Sequence, residues 1–239
     1  MARKNQLREM HYNTVLNKTS KSQETSLSGI VTKVVRALRK EFPRLRFDIA
    51  PQWRLGEIID DLKLAFPDVS FCDCFAKSSM KPDGGILYVL AKHGKRLPVL
   101  ISEVKNQGAN DLRKREGKGL QAKDNAIERL GKNVIGLRAA LLEESIFPFV
   151  CFGYGCDFAD TSSIIDRVKT IAMFGGLNEL HLHNEGPGGV FNRGTFYFRE
   201  KKWSDKEMFD RCIDIARRSV LYYLSKYGAD ASKCSEVVL

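Results

Sequence analysis

The sequence predicts an α/β fold: one domain with a central mixed β-sheet flanked by helices. Stretches with helical spacing of apolar residues interleave with short apolar runs of strand length from end to end. The 239 residues are 43% hydrophobic and 28% charged, which fills one sizeable core and is unlike a disordered chain. No internal repeat or low-complexity segment interrupts the pattern.

Residues 1–24 lack sustained periodicity and carry Arg3, Lys4, Arg8, Lys18 and Lys21, so they read as a basic, flexible amino-terminal arm ahead of a domain at 25–239. Ser26 or Ser28 is placed to cap a helix that runs to Lys40, with Ile30, Val31, Val34, Val35 and Leu38 on one face and Pro43 ending it. Leu55, Ile58, Ile59, Leu62 and Phe66 form the apolar stripe of a second helix, stopped by Pro67-Asp68. From Val69 to Lys105 the period becomes that of strands, in the runs VSFCDCFA (69–76), GILYVLA (85–91) and LPVLISEV (97–104). His93-Gly94-Lys95 supplies the turn between the last two. Residues 106–119 are polar, basic and glycine-bearing, hence a loop.

A long helix is expected from about Leu120 to Glu144, with Ala122, Ala126, Ile127, Leu130, Val134, Leu137 and Leu141 facing inward. FPFVCFGY (147–154) reads as a buried strand, followed by a helix around Ser162–Met173. Two further strands are expected near NELHLHN (178–184) and GTFYFRE (194–200), and a closing amphipathic helix over Ser204–Tyr227.

The formal net charge of +10 is concentrated in two places. Residues 1–46 hold eleven Lys/Arg against three Asp/Glu, and residues 92–138 hold twelve against five. Basic charge focused in this way suits a polyanionic partner. No apolar run approaches the roughly 20 residues that span a bilayer, and the amino terminus lacks the apolar core of a signal peptide, so a cytoplasmic protein is expected. The six cysteines fall mostly in apolar runs at irregular spacing, which suits buried or half-buried thiols in a reducing compartment and not a zinc site. His181 and His183 share a strand spacing but lack a third ligand in sequence, and read as surface. Neither a G-x-S-x-G elbow nor a G-x4-G-K-[ST] loop is present, which sets aside hydrolase-triad and ATPase chemistry.

The chemistry concentrates in residues 81–105, KPDGGILYVLAKHGKRLPVLISEVK. Side chains two apart on a strand emerge from one face, so Glu103 and Lys105 are neighbours if LPVLISEVK is a strand. If GILYVLA pairs with it as a hairpin, Asp83 returns beside Glu103. Gly84-Gly85 permits close approach of backbone or ligand. Two carboxylates and an amine at one sheet end can hold Mg2+ and handle a water beside a phosphate; a structural hairpin that happens to carry charges would show the same residues. Asn125-Ala-Ile-Glu-Arg129 opens the helix behind the basic loop. Its Asn and Arg are types that make bidentate contacts to base edges, and Glu128 is placed to hold Arg129; a polar helix surface is the alternative.

Taken together, Ser78-Ser-Met-Lys-Pro-Asp-Gly-Gly-Ile86, Glu103-Val-Lys-Asn-Gln-Gly108 and Asn125-Ala-Ile-Glu-Arg129 resemble the EcoRI-type restriction endonucleases, a branch of the PD-(D/E)XK nucleases. Ile30–Phe47, Phe147–Phe152 and Trp203–Ile215 fall in the same order as similar segments of that family, so the likeness covers nearly the whole chain. It implies a restriction-endonuclease-like core and a Mg2+-dependent homodimer that cuts double-stranded DNA at a short palindrome, leaving 5′-phosphate ends and 5′ overhangs. It also implies a prokaryotic setting with a DNA methyltransferase of matching specificity as genetic partner. Asp83 and Glu103 would be metal ligands with the Val104 carbonyl assisting, and Lys105 would orient or help deprotonate the attacking water.

In the same resemblance Asn125, Ala126, Glu128 and Arg129 read an AATT centre. Gln121, Ala122 and Lys123 join the DNA-binding set beside the outer base pair, with Lys123 and Asp124 placed either to contact a phosphate or to replace a base contact, and Arg167 aligns with a basic DNA-contacting position. Residues 81–105 become the catalytic hairpin, and 106–144 the recognition loop and helix. The stretch Gln121-Ala-Lys-Asp124 departs from the small residues the family places there, which leaves GAATTC, RAATTY, CAATTG and bare AATT open. Two other readings stand beside this one: a repair or structure-specific nuclease of the same superfamily, and a sequence-specific DNA-binding module without catalysis.

Overall fold

The longest strand, Arg96–Asn106 (β5), lies at the centre of the computed structural model. The structure describes residues 15–91, 94–106, 124–155, 158–160, 165–166, 168, 177–183 and 194–228. Eight of the eleven residues of β5 are buried, because the strand is flanked on both sides and covered on both faces. Its neighbours are Ile86–Leu90 (β4), antiparallel, and Phe149–Tyr154 (β6), parallel. Arg46–Ala50 (β1) pairs antiparallel with β4, and Thr195–Arg199 (β7) runs parallel to β6. The order is therefore β1-β4-β5-β6-β7, a mixed sheet within a single α/β domain. Trp53–Arg54 (β2) and Ser79–Met80 (β3) form a separate two-stranded ladder.

Helices cover both faces. Val15–Glu41 (α1) and Asp205–Tyr227 (α4) bury Leu27, Ile30, Val34, Leu38, Cys212, Ile215 and Val220 against Leu87, Val89, Val99, Leu100, Val150 and Phe152 of the sheet. On the opposite face Leu55–Ala65 (α2) and Asp124–Ala139 (α3) supply Ile58, Leu130, Val134 and Leu137 against Ile86, Tyr88, Ile101, Phe149, Cys151 and Phe196. Helix α4 starts on a full capping box, in which the Ser204 side chain accepts from Glu207 N–H and the Glu207 carboxylate accepts from Ser204 N–H.

A β-bulge decides which face carries the chemistry. Leu87 pairs with Leu100 but Tyr88 pairs with Pro98, so Val99 is the extra residue on β5. Pro98 has no N–H to offer the ladder, and a bulge is where a strand interior tolerates it. Leu97 and Val99 face the α1/α4 core, and so does Leu100, whereas Ile101 faces the α2/α3 core. The bulge thus shifts the alternation by one, and Glu103 and Lys105 follow Ile101 onto the face covered by α3.

Several sequence expectations change. Helix α1 begins at Val15, ahead of Ser26, and α3 ends at Ala139, short of Glu144. Past Ala139 the chain tightens into turns, and Glu144 turns in to accept from Tyr222 (3.0 Å), Lys226 (2.7 Å) and Tyr227 (2.7 Å) of α4. Residues 69–76 are not a strand: they run through turns and irregular backbone, with Val69 52% and Phe75 87% exposed. Among the described residues no strand pairs with this alternating segment. Residues 178–183 are not a strand either. Asn178 takes a left-handed φ of 65°, and its N–H donates to Phe196 O and its Oδ1 accepts from Phe198 N–H, so the segment ties down the edge of β7 by single contacts. His183 forms an isolated bridge with Ile146 and packs its ring near Tyr222. Strand β1 was not expected; its burial pattern leaves only Phe47 and Ala50 inside, too thin a signal for an edge strand. Cys72 is exposed, contrary to the expectation of buried or half-buried thiols, while Cys151 and Cys212 are buried. Most of the helix expected over 162–173 lies outside the described residues.

Candidate active site

Asp83 is held in a tight turn between β3 and β4. Gly85 N–H donates to Pro82 O at 2.9 Å, and Gly84 N–H donates to Ser102 O at 2.9 Å, which stitches the turn to β5. Both glycines are required by space. A Cβ on Gly84 would stand 2.0 Å from Ser102 Oγ and 2.9 Å from Leu27 Cγ. Gly85 has a φ of +73°, and a Cβ there would stand 2.8 Å from the backbone oxygen of Ala50. Strand β1 and helix α1 therefore press directly on the turn that carries the aspartate.

The turn delivers Asp83 to the end of β5. Its Oδ2 accepts from Val104 N–H at 3.1 Å and from Lys105 Nζ at 3.4 Å. Lys105 Nζ also pairs with Glu103 Oε1. Asp83, Glu103 and Lys105 thus converge as the hairpin argument requires, with Val104 between them lending its amide. Glu103 is 1% exposed, whereas the side chains of Asp83 and Lys105 are each 20% exposed. The carboxylate is deep and the ammonium sits at the mouth.

Electrostatics couple the three. Burial raises the Glu103 pKa and Asp83 adds to that, against the opposing pull of Lys105 and Asn133. For Lys105, burial works against the charged form, but Glu103 and Asp83 outweigh it and hold the ammonium firmly protonated. Cys151 lies opposite Glu103 in the β5–β6 register. Burial, then the nearby Glu103 charge, pushes its thiol well up, so it stays a neutral wall of the site.

The site contains one partner that sequence reasoning overlooked. Asn133 Nδ2 donates to Glu103 Oε1 at 3.2 Å from α3. Its signal in sequence is faint: a polar residue beside the apolar stripe of Leu130, Val134 and Leu137. The residues expected to read bases divide in two. Asn125, Ala126, Glu128 and Arg129 lie in the opening turns of α3, the helix that Asn133 ties to the carboxylate. Gln121, Ala122, Lys123 and Arg167 lie outside the described residues.

The donor set fits a hard divalent cation. Glu103 Oε2 is buried and has no hydrogen-bond partner among the described residues, a costly state for a carboxylate oxygen unless a cation or water meets it. Asp83 supplies a second carboxylate within the same cluster. Among the described residues no group of three or more His, Cys, Asp or Glu could hold a metal by itself. Mg2+ takes one or two carboxylates and completes its shell with water and phosphate oxygens, a demand that Asp83 and Glu103 are of the right chemistry to meet. No described helix is long and apolar enough to cross a membrane.

Comparison with known proteins adds three matches. The family described as restriction endonuclease EcoRI matches residues 11–168, a span that holds the turn, the end of β5 and α3. The type II restriction enzyme RsrI of Cereibacter sphaeroides is 27% identical over 241 aligned residues, covering 87% of each chain. The type II restriction enzyme EcoRI of Escherichia coli is 33% identical over a 156-residue alignment that covers 62% of this chain and 56% of that enzyme.

Proposed function

Because the chain belongs to the EcoRI restriction endonuclease family, we propose that it hydrolyses double-stranded DNA at an AATT-centred palindrome with Mg2+ as cofactor, leaving 5′-phosphate ends and 5′ overhangs. The observation that carries the reading is the meeting of Asp83, Glu103 and Lys105 at one end of β5. They meet under the helix that opens with Asn125-Ala-Ile-Glu-Arg129.

The chemistry divides among these residues. Asp83 and Glu103 would hold the ion, with the Val104 main-chain carbonyl assisting; Glu103 Oε2 is buried and without a partner among the described residues. When bound, Mg2+ neutralises charge on the phosphoryl oxygens and acidifies water. The water oxygen forms a bond to phosphorus, the bond from phosphorus to O3′ breaks, and O3′ leaves with a proton. Lys105 orients that water and offsets charge gathering on the phosphate; as a cation held by two carboxylates it is better suited to this than to removing the proton. Asn125 and Arg129 make bidentate contacts to base edges in the major groove, Glu128 holds Arg129, and Ala126 packs against the bases. Gln121, Ala122 and Lys123 bind DNA beside the outer pair, and Arg167 is a further DNA-contacting residue.

A palindrome is read most simply by a two-fold dimer, so the working form is a homodimer. The related enzymes come from bacteria. The place of action follows as a prokaryotic cytoplasm, where a methyltransferase of the same specificity protects host DNA.

Sequencing the ends cut from a defined plasmid tests the reading. Discrete fragments with 5′ overhangs at one AATT-centred site, formed only with Mg2+, are expected, and they fix the outer pair. A smear without fixed ends would indicate a structure-specific or non-specific nuclease. Specific binding without cutting would indicate a recognition module.

A further inference from the structure

Helix α3 reaches from the proposed base-reading segment to the catalytic carboxylates. Positions 125, 129 and 133 recur at intervals of four, so they follow one another along one face of the helix. At the third of them, Asn133 Nδ2 donates to Glu103 Oε1. Lys105 Nζ shares that oxygen, and Oε2 is left without a partner among the described residues. A carboxylate that is 1% exposed is therefore gripped by one oxygen while the other stays open.

The grip is only as good as the seat of α3. Leu130, Val134 and Leu137 anchor the helix in the second core. Gly136 lets it lie against β3, where a Cβ would stand 2.6 Å from Met80 Sδ. Asn133 itself, half-buried beside this anchor, is the point where the helix touches the charged cluster.

Resting on the reading in the preceding section, we infer that Asn133 is a positioning residue that couples the seating of α3 to the orientation of Glu103. With the amide in place, Oε1 is fixed and Oε2 is presented to the metal. A duplex that fails to match the opening turns of α3 shifts the helix, takes the amide off Glu103 and loosens the ligand. A wrong site is then penalised at the cutting step as well as in binding. The general physics is that of partners behind a metal ligand, which hold the ligating group in the productive orientation.

The test uses the full chain with Asn133→Ala, Asn133→Leu and Asn133→Gln. Leucine keeps the shape of asparagine without its donors, which guards against a packing artefact. Binding of the cleaved duplex without metal is expected to change by less than about 2-fold in the first two variants. The Mg2+ concentration for half-maximal cleavage is expected to rise about 10- to 100-fold. Mn2+ affinity of the protein–duplex complex, read by electron paramagnetic resonance, should fall in parallel, and Asn133→Gln, which keeps an amide, should recover part of both. Unchanged metal dependence in Asn133→Leu overturns the inference, as does loss of duplex binding with metal dependence intact. A parent protein that neither cleaves nor binds Mn2+ sinks the underlying reading and this inference with it.

Discussion

Gly85→Ala probes the turn that carries Asp83, and its cost can be worked from the structure. Gly85 has a φ of +73°, and its new Cβ would meet the Ala50 carbonyl oxygen at 2.8 Å. That oxygen cannot swing away freely, because Ala50 pairs with Ile86 at the start of the β1–β4 ladder. The left-handed backbone costs a non-glycine residue about 1–2 kcal/mol. Pushing a methyl into a packed site adds about 1–3 kcal/mol. A total of about 2–5 kcal/mol lowers the melting temperature by roughly 4–20 °C for a domain of this size. Cleavage should fall further than stability explains, since a displacement of about 1 Å at a reacting group can cost about 100-fold. Gly94→Ala is the control: Gly94 also has a positive φ, 76°, but nothing lies within 4 Å of its Cβ. It should lose only the backbone share and leave cleavage intact. Thermal unfolding by circular dichroism, with cleavage assayed well below the melt, measures both. If Gly85→Ala melts and cuts like Gly94→Ala, β1 does not set the Asp83 turn.

Two further outcomes follow from other parts of the molecule. Arg129→Ala should weaken discrimination within the proposed AATT centre by about 1–3 kcal/mol if it makes a bidentate base contact; an unchanged ranking of single-base variant sites would remove Arg129 from the reading set. The α4 cap should appear in the acid branch of stability. Hydrogen bonds from Arg199, then those of Ser204, hold Glu207 well below its usual carboxylate range. A depressed folded pKa means the unfolded chain binds more protons, so this contribution is present above about pH 4.5 and is lost as pH falls below it. Glu207→Gln should therefore differ from the parent in melting temperature at neutral pH and converge on it under acid. A constant difference across that range would deny the cap its charge.

Much of this was legible because the residues concerned are extreme in type. Ile30 through Leu38 and the run Leu97–Val104 announce a buried helix and a buried strand by hydrophobicity alone. Asp83, Glu103 and Lys105 stand out as charges at the ends of apolar runs. What stayed hidden depends on pairing, which no local pattern encodes. Residues 69–76 alternate like a strand yet have no partner strand among the described residues, while β1 hides its strand behind Arg46, Asp48 and Ile49, which stay exposed. The register shift at Val99 puts Glu103 and Lys105 beneath α3 through a single extra residue. Asn133 was invisible for the same reason: its role exists only once α3 packs across the end of β5.

In the proposed division of labour, Glu103 on β5 serves cutting while α3 selects the site. Glu103→Gln tests it most directly, since glutamine keeps the shape and the Asn133 contact through its side-chain oxygen but removes the charge that would hold Mg2+. Binding and cleavage of the same duplex should be measured side by side in the parent and this variant. Site-specific binding close to that of the parent and no detectable Mg2+-dependent cleavage are expected. Cleavage retained in Glu103→Gln, or binding lost along with it, would contradict the division of labour.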